Sequence, residues 1–506
     1  MIFKILFLKV ALLKISYISS HNWCKCYLKE QTITIKFCNV TKFENFNFHC
    51  HQYVSLKYIK NLEATNNFID TISKDLFQNL THLETLCLDS NSISYIKNDS
   101  FKDFIHLKTL SIENNKLKQI NNKAFVNLAK LKDLFIDDNQ IDTIEDESFK
   151  DLINLETLSI ENNRLKSINN KAFANLINLK DLLIDYNQID TIEDESFKDL
   201  INLETLSIEN NQLKSINNKQ FAKLTKLEVL FIDDNQIDTI EDESFKDLIN
   251  LETLSVANNQ LKKISNKTFA KLNNLKELYI GDNLIDTIED YAFKDLNSLH
   301  ELELQNNQIS KIQFGLFNIN FPNLSFVNLS HNRLIEIELW PLYLKNVEYV
   351  DLRYNRINNF TNNFGWFFAN SSNVKVNNRN AVIDLSHNYI TSFDDRTVQQ
   401  YGVCNPEDYK TFMNYIFDLF LLYNNPINCN CNASKRLLFD SRYLLDGKIL
   451  NKSWCANDKF KEHSILSFGY CKSDAQPIEY EYCKIASSTS STVFTSSTSN
   501  SHKYCL

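Results

Sequence analysis

The 506-residue chain has few of the residues that interrupt regular structure, with 6 glycines and 5 prolines. This scarcity excludes Gly/Pro-rich linkers. Catalytic signatures are missing as well: the sequence has no Gly-rich phosphate loop, no G-x-S-x-G and no Cys–His arrangement with a local context. Its 10 histidines are scattered, and none falls in a metal-ligand spacing. Acid pairs are abundant but lie on an expected open surface, whereas catalytic carboxylates need a pocket that shifts their pKa. We therefore expect a protein that is not an enzyme and binds no metal and no cofactor.

Charge and hydropathy exclude two further classes of partner. The net charge of −9 argues against a nucleic-acid partner. Residues 487–501 are rich in Ser and Thr and resemble an O-glycosylated stalk. No apolar segment long enough for a transmembrane helix or a GPI signal follows them, so we expect no membrane span. A shed or secreted molecule and a truncated receptor both fit this pattern. The sequence does not indicate the oligomeric state.

What the chain does have is a repeat of 24 residues, marked by an asparagine and a phenylalanine at fixed positions. The asparagines are Asn67, Asn91, Asn115, Asn139, Asn163, Asn187, Asn211, Asn235, Asn259, Asn283 and Asn307. The phenylalanines are Phe77, Phe101, Phe125, Phe149, Phe173, Phe197, Phe221, Phe245, Phe269, Phe293 and Phe317. Such periodicity predicts a solenoid, in which no unit can bury its apolar face alone and stability comes from stacked neighbours.

Each unit can be numbered from its first leucine, and the numbering predicts where its residues lie. Positions 1, 4, 6, 11, 14, 19 and 22 are apolar and should point inward. Positions 3 to 7 read as a short strand, while the asparagine at position 9 bonds the backbone of a turn and the phenylalanine at position 19 forms a buried spine. Fifteen units can be placed, starting at residues 59, 83, 107, 131, 155, 179, 203, 227, 251, 275, 299, 324, 347, 380 and 417.

The pattern L-x-x-L-x-L-x-x-N-x-L, as in Leu155 to Leu165, resembles the leucine-rich repeat signature. The fold class that this resemblance implies is an α/β-type solenoid, a curved leucine-rich repeat horseshoe with a parallel concave β-sheet. The units also alternate in type: those at 107, 155, 203 and 251 resemble one another, as do those at 131, 179, 227 and 275. The true period is thus 48 residues, which suggests tandem duplication.

The chain ends have a different composition from the repeats and predict five segments. Residues 1–20 have the apolar core and terminal small residues of a secretory signal peptide, although Lys9 and Lys14 interrupt that core. The alternative is a poorly structured or misannotated N-terminus. The other segments are an N-terminal cap at 21–58, repeats at 59–426, a cysteine-rich C-terminal cap at 427–485 and a Ser/Thr-rich tail at 486–506. Caps are needed because the ends of a solenoid expose apolar surface.

Cysteines gather in both caps, and disulfides persist only in oxidising compartments. Cys429, Cys431, Cys455 and Cys471 closely resemble the C-terminal cap of extracellular leucine-rich repeat proteins. That resemblance implies the pairs Cys429–Cys455 and Cys431–Cys471. The match of Cys24, Cys26, Cys38 and Cys50 to the N-terminal cap is looser, and Cys24–Cys38 with Cys26–Cys50 is the pairing that we expect. Zinc is the lesser alternative, because no matching ligand set accompanies the C-x-C spacing. Cys87, Cys404, Cys483 and Cys505 are left unpaired.

Two irregular stretches break the pattern. Residues 356–379 carry the aromatic run Phe364 to Phe368, and residues 391–416 insert a segment before the last unit. They are either tolerated insertions or loops that touch a partner. Elsewhere the charges at positions 12 and 17 alternate strictly between Lys and Asp or Glu, which predicts structural ion pairing along the stack.

Position 7 is acidic without any intervening base and is the candidate binding site. Stacked like charges about 5 Å apart repel by roughly 0.8 kcal/mol in bulk water, a cost that the alternating columns avoid. Mixed charges at position 2 partly neutralise this stripe, and duplication copies an acid whether or not it binds. Apolar residues at position 5 would anchor a partner beside the acids. Calcium is a lesser option, because a flat sheet spaces its oxygens apart. The acids are Asp89, Glu113, Asp137, Glu161, Asp185, Glu209 and Asp233, and the anchors are Phe135, Leu183, Phe231 and Tyr279.

Taken together, the sequence predicts a secreted or cell-surface recognition protein that binds an extracellular protein ligand, basic in charge, on its acidic concave face. The family that it resembles binds proteins, glycans or lipids, and the fold does not choose among them. An innate-immune recognition molecule and an inhibitor wrapped around an enzyme or toxin are the alternatives. Variation between individuals confined to positions 2, 3, 5, 7 and 8 would favour immunity, whereas one tight, salt-sensitive basic partner would favour the inhibitor.

Secretion can be tested directly by expressing the full chain in a secretory eukaryotic cell. We expect a glycosylated, disulfide-compacted product in the medium that begins near His21. The readout is mass with and without glycosidase and reductant. A product retained in the cytosol with free thiols would contradict both the signal peptide and the caps.

Overall fold

A computed structural model describes residues 16–18, 25–29, 32–36, 58–77, 80–312, 316, 321–337, 346–360, 382–390, 420–421, 424–425, 443–445 and 448–450. The described residues fall into two compact units. The first holds those up to 214 together with 219–231, and the second holds 215–218 together with those from 232 onward. Each unit is a parallel-sheet solenoid, and about 11 turns of the chain have roughly 24 residues.

Every predicted repeat contributes a short parallel strand, which we call a front strand, at positions 3–5 of its turn. Position 4 points inward and is buried in every front strand whose burial the structure describes. In the first unit the front strands are Asn61–Glu63, Thr85–Cys87, Thr109–Ser111, Asp133–Phe135, Thr157–Ser159, Asp181–Leu183, Thr205–Ser207 and Val229–Phe231. In the second they are Thr253–Ser255, Glu277–Tyr279, Glu301–Glu303, Phe326–Asn328, Tyr349–Asp351, Val382–Asp384 and Phe420–Leu421.

A second row of two-residue strands, the back strands, was not expected from the sequence. Among the described residues each back strand pairs with one other, and the joined turns are those at 59 and 83, 107 and 131, 155 and 179, 203 and 227, 251 and 275, and 324 and 347. In the first unit the back strands are Thr71–Ile72, Tyr95–Ile96, Gln119–Ile120, Thr143–Ile144, Ser167–Ile168 and Thr191–Ile192. In the second they are Ser215–Ile216, Thr239–Ile240, Lys263–Ile264, Thr287–Ile288, Glu336–Ile337 and Asn359–Phe360.

The expected α component is a point on which the structure differs. Within the described repeats the chain returns from the back strands through turns, and the one helix longer than a single residue there is the 3₁₀ helix Lys74–Phe77. The 4 residues of Lys74–Phe77 are too few for an α-helix to close its backbone hydrogen bonds and satisfy its ends. The solenoid prediction is confirmed, with turns in place of helices.

Three strands extend the front sheet at its N-terminal end, two within the predicted cap and one within the predicted signal segment 1–20. Thr32–Lys36 runs parallel to Asn61–Glu63, Lys25–Lys29 runs antiparallel to Thr32–Lys36, and Ser16–Ile18 runs antiparallel to Lys25–Lys29. These strands cover the sheet edge that the first repeat would otherwise expose. Near the other end Tyr443–Leu445 and Lys448–Leu450 form an antiparallel pair.

The position-9 asparagines are buried and bond to two turns at once. In Asn163 the amide Nδ2 donates to the carbonyl of Glu161 in its own turn and of Ile136 in the preceding turn, both at 3.0 Å. Its Oδ1 accepts the backbone N–H of Ile141 at 2.9 Å. Each asparagine therefore satisfies backbone groups that the turn leaves without a strand partner.

The position-19 phenylalanines form the predicted spine on the back of each unit. Phe149, Phe173 and Phe197 are buried, and neighbouring rings are stacked with centroids 6.3 and 6.1 Å apart. Strands in a sheet lie about 4.8 Å apart, so each turn is thicker at its phenylalanine than at its front strand.

The asparagine ladder predicts a specific loss of stability. Asn163→Ala removes one donor from the Ile136 and Glu161 carbonyls and takes away the acceptor of the Ile141 N–H, and we expect it to destabilise the protein by about 1–3 kcal/mol. Urea unfolding followed by far-UV circular dichroism would measure this. Asn170→Ala, at an exposed position, is the matched control. Equal midpoints for the two variants would contradict the proposed role of the ladder.

Candidate functional site

The front face, formed by the side chains at positions 2, 3, 5, 7 and 8, carries the predicted acidic stripe. The structure places the stripe deeper than expected. Asp89 and Glu113 are buried, with 3% and 1% of their surface exposed, and the remaining five acids are half-buried. The position-7 side chains are therefore partly taken out of water, which a fully solvated stripe would not be.

Alternate members of the stripe are hydrogen-bonded to the following turn. One carboxylate oxygen of Asp137, Oδ1, accepts Ser159 Oγ–H at 2.6 Å and the Glu161 backbone N–H at 2.7 Å. Every aspartate of the stripe repeats this arrangement with the serine at position 5 and the N–H at position 7 of the next turn. The other bonds are those of Asp89 with Ser111 and Glu113, Asp185 with Ser207 and Glu209, and Asp233 with Ser255 and Ala257.

Burial shifts the protonation of these acids. Loss of water, and then the charges of neighbouring acids, raise the pKa of Asp137 to about 8 and of Glu113 to about 9. The same loss of water raises the pKa of Asp233 to about 6 and holds that of Asp185 well above its ordinary value. Hydrogen bonds from serine and backbone N–H act in the opposite direction but are smaller. The stripe therefore carries less negative charge at neutral pH than its composition indicates.

The predicted apolar anchors divide into two groups. Phe135 is buried, with 6% of its surface exposed, so it is not available to a partner as the sequence had predicted. Leu183, Phe231 and Tyr279 are half-buried and keep part of their surface on the front face.

Position 2 forms its own ion pairs instead of neutralising the acidic stripe. Glu84 lies between Lys60 and Lys108, with both oxygen–nitrogen distances at 2.6 Å. Glu156 pairs in the same way with Lys132 and Lys180. Hydrogen bonds from Lys132 and Lys180 lower the pKa of Glu156. Hydrogen bonds from Lys108 and Lys60 lower the pKa of Glu84 to about 2.

One candidate residue was missed in the sequence. Position 8 has a left-handed backbone in every described front turn, which suits Asn and Asp, and Asn162, Asn210 and Asp138 occupy it in neighbouring turns. Tyr186 adopts the same conformation with φ of 52° and exposes 39% of its surface. A bulky residue in this region is strained, and strain kept at an exposed site points to function. The departure from Asn and Asp at this position was the available signal.

The second unit holds an aromatic and basic cluster that the sequence analysis did not single out. Tyr354 is stacked between His331 and His387, with ring centroids 4.4 and 4.2 Å apart. Beside them the Arg353 guanidinium donates from Nε and Nη2 to the buried Asp351, at 3.0 and 2.6 Å. Arg353 is thus a base at position 7, a position that is acidic throughout the turns from 83 to 227.

The structural ion pairs also differ from the expected columns. Lys171 and Lys219 at position 17 pair with Asp146 and Asp194, which occupy position 16 of the preceding turns, at 3.1 and 2.9 Å. Among the described residues the position-12 side chains form no ion pair of this kind.

The cap cysteines lie outside what the structure describes. Nothing is placed for Cys24, Cys38, Cys50, Cys429, Cys431, Cys455 and Cys471, and only the backbone is placed for Cys26. The irregular stretches 361–379 and 391–416 also lie outside the described residues. Cys87, which the sequence left unpaired, is buried and disulfide-bonded. Over the described ranges no group of three or more His, Cys, Asp and Glu could hold a metal ion, and no helix there is long and apolar enough to cross a membrane.

Comparison with known proteins agrees with this geometry. The BspA-type leucine-rich repeat region matches residues 70–197, 142–276 and 238–375, which together span more than half of the chain. The chain belongs to the BspA-type leucine-rich repeat family. Proteins of this class are generally protein-binding scaffolds. No curated protein matches the sequence.

Two solved structures share the leucine-rich repeat fold. A leucine-rich repeat protein of Leptospira interrogans is 23% identical with a TM-score of 0.56, and the match covers 72% of this chain and 90% of that one. The plant peptide hormone receptor RGFR1, in complex with RGF2, is 19% identical with a TM-score of 0.53, over 74% of this chain and 56% of the receptor.

The raised pKa of Asp137 predicts a dependence of this repeat protein's stability on pH. The folded chain holds a proton that the unfolded chain releases between the ordinary pKa of 3.8 and about 8. Stability from this group therefore falls as pH rises through that window. Asp137→Asn keeps an acceptor for Ser159 and Glu161 but removes the titration. We expect its melting temperature to fall less between pH 6 and 8 than that of the wild type, by a few degrees.

Calorimetry at several pH values measures this difference. Asp142→Asn removes the same charge from an exposed position and is the control. If Asp137→Asn and the wild type lose stability in parallel as pH rises, the buried carboxylate is not the cause.

Proposed function

We propose that this chain is an extracellular, non-enzymatic recognition protein and that the front face of its first compact unit binds a basic segment of a protein ligand. One observation carries the proposal. From Thr109 to Phe231 in that unit, positions 3, 5, 7 and 8 hold carboxylates, apolar or aromatic side chains and neutral Ser, Thr and Asn, but no lysine, arginine or histidine. A basic segment with apolar residues matches both features.

The apolar contacts centre on the turn that begins at residue 179. Leu183 at position 5 is half-buried, and Tyr186 at position 8 of the same turn is exposed. Asp181 at position 3 precedes both residues, and Asp185 at position 7 lies between them in the sequence. An aromatic side chain ringed by polar groups is the arrangement that dominates binding energy in protein interfaces. The ligand's apolar side chain would pack on Tyr186 and Leu183.

The acids that we propose contact the ligand are mainly those of the other turn type. Glu161 and Glu209 are half-buried at position 7, and each lies in the turn that follows a hydrogen-bonded aspartate. Burial raises the pKa of Glu161. A lysine or arginine placed beside it would restore the interactions lost with water and favour the ionised form, so the ligand is expected to bind more tightly as pH rises.

The extracellular part of the proposal is supported by the sequence and by one side chain. The N-terminal 20 residues resemble a secretory signal, cysteines are concentrated at both ends of the chain, and Cys87 is disulfide-bonded. Binding of a protein or peptide is also what the plant structure illustrates for its own chain, since RGFR1 is a peptide hormone receptor. The proposal gives this chain a similar use of the fold.

The charge part can be tested with a synthetic peptide that alternates lysine and leucine, against a glutamate–leucine peptide of equal length. Fluorescence anisotropy should show binding of the basic peptide alone, stronger at pH 8 than at pH 6. Glu161→Gln with Glu209→Gln should weaken it about tenfold, because charge-assisted hydrogen bonds are lost. Asp142→Asn with Asp190→Asn removes two charges from exposed positions and should have little effect. Equal effects of both pairs would sink the proposed face.

The contribution of Tyr186 to binding can be tested with a substitution that we expect not to destabilise the fold. Position 8 is asparagine in the two neighbouring turns, at Asn162 and Asn210. Tyr186→Asn places the same residue there and relieves a left-handed backbone strain of about 1–2 kcal/mol. We expect the variant to unfold at an equal or higher temperature and yet to bind the lysine–leucine peptide more weakly. Unchanged binding would remove Tyr186 from the interface.

A further inference from the structure

A shallow cavity of about 380 Å³ lies in the first unit where neighbouring turns enter their front strands. Its lining carries four lysines, Lys108, Lys130, Lys132 and Lys180, and a single carboxylate, Glu156. We call this the lysine cavity. It is basic although the chain as a whole has a net charge of −9. It is also separate in chemistry from the acidic positions of the same strands.

The ion pairs around the cavity leave positive charge in excess. Glu156 is shared by Lys132 and Lys180, the latter at 3.3 Å. Lys108 pairs at 2.6 Å with Glu84, which is itself shared with Lys60. Each acid therefore serves two lysines. Lys130 contacts the His106 ring at 3.3 Å and forms no ion pair with any carboxylate that the structure describes.

The cavity also contains a step at which charge alternation fails. Along position 2 the glutamates Glu84 and Glu156 each separate two lysines, but Lys108 and Lys132 follow one another directly. The Lys132 N–H donates to the Lys108 carbonyl at 2.7 Å, so the two residues lie on adjacent strands. Like charges at this separation repel. An anion bound between them would replace the repulsion by two attractions.

The other lining groups do not compensate the excess charge. Asn154 and Asn178 line the cavity, but their amide Nδ2 groups donate to the Ala129 and Ile153 carbonyls at 2.6 and 2.7 Å. These bonds fix the amides against the backbone, and the ammonium groups remain as the donors able to reach a ligand. Four flexible ammonium groups around an open cavity suit oxyanions of high charge, and a single exposed pair contributes little.

We propose that the lysine cavity binds a compact polyanion, sulfated or phosphorylated, held between Lys108, Lys130 and Lys132 with Lys180 at its side. At least two anionic groups are required, since one must lie at the Lys108–Lys132 step and another near Lys130. The cavity is lined by residues at positions 2 and 24 and by none of the acids at position 7, and it would be occupied independently of a basic protein ligand.

Titration calorimetry at low ionic strength tests this with two probes, a sulfated heparin tetrasaccharide and inositol hexakisphosphate. The wild-type chain should bind at least one of them at one site, with affinity that falls as salt is added. Binding of the tetrasaccharide alone assigns a sulfated glycan, binding of the inositol phosphate alone assigns a phosphate ligand, and binding of both shows that charge alone selects.

Matched pairs of substitutions distinguish binding in the lysine cavity from nonspecific attraction to exposed lysines. Lys130→Gln with Lys132→Gln should weaken binding about tenfold or more, as loss of charge-assisted hydrogen bonds implies. Lys118→Gln with Lys166→Gln removes the same charge from exposed positions outside the cavity and should leave affinity within about twofold. The proposal is overturned if neither probe binds the wild type, or if the two variant pairs weaken binding equally. Binding of the lysine–leucine peptide to the Lys130/Lys132 variant keeps this result separate from the front-face proposal.

Discussion

The buried asparagine at position 9 is the interaction on which the rest of the solenoid depends. Its amide bonds carbonyls of two turns, and its oxygen accepts an N–H from the preceding turn, as Asn139 does with Ile112, Asp137 and Leu117. No other side chain offers two donors and an acceptor at this short reach. The ladder itself tolerates turns of other lengths, because Asn332, Asn355, Asn388 and Asn425 accept the corresponding backbone N–H of the preceding turn across longer or shorter turns. Stacking is then a condition for burying each turn and not a later addition.

In addition to the asparagine ladder, two turn types alternate along the chain. In turns such as the one beginning at 131, acids reach back to the previous turn: Glu145 accepts the Asn122 N–H at 3.0 Å and Asp151 accepts the Asn127 N–H at 3.4 Å. The same turn reaches forward through Asp137 to Ser159. The turns on either side supply donors. The 48-residue period thus joins two turns whose donors and acceptors are complementary, and duplication of two turns copies a complete set of these bonds.

The positions with a left-handed backbone also alternate between the two turn types. Asn127 and Asn175 have positive φ at position 21 of one turn type, whereas Glu147 and Glu195 have it at position 17 of the other. The back strands accordingly pair within the two-turn unit, as Gln119–Ile120 does with Thr143–Ile144. Two conformations of the returning chain alternate along the molecule because their donors and acceptors are complementary.

Several of these features were readable from the sequence, and the others required the geometry of neighbouring turns. Periodicity alone predicted the front strands, the buried Asn163 and the spine at Phe173, because each repeats in every turn. The back strands were missed because two residues leave no hydrophobic period to detect. The partial burial of Asp137 could have been inferred from Ser159, since serine appears at position 5 only after a turn with aspartate at position 7. The lysine cavity could not be inferred from the sequence, because residues at position 24 and at position 2 of different turns line it together.

The difference between the two turn types also determines which acids can serve in ligand binding. Asp137 and Asp185 are held by the next turn, so replacing them changes the stack as well as the surface. Glu161 takes part in the same contact only through its backbone N–H, which any residue other than proline would provide. Its side chain, and that of the residue beside it at position 8, can vary without disturbing the ladder. A solenoid built this way fixes one turn type for stability and leaves the other to adapt, so specificity for a ligand should be encoded mainly in the glutamate-bearing turns, with Tyr186 as the exception that the strained backbone marks.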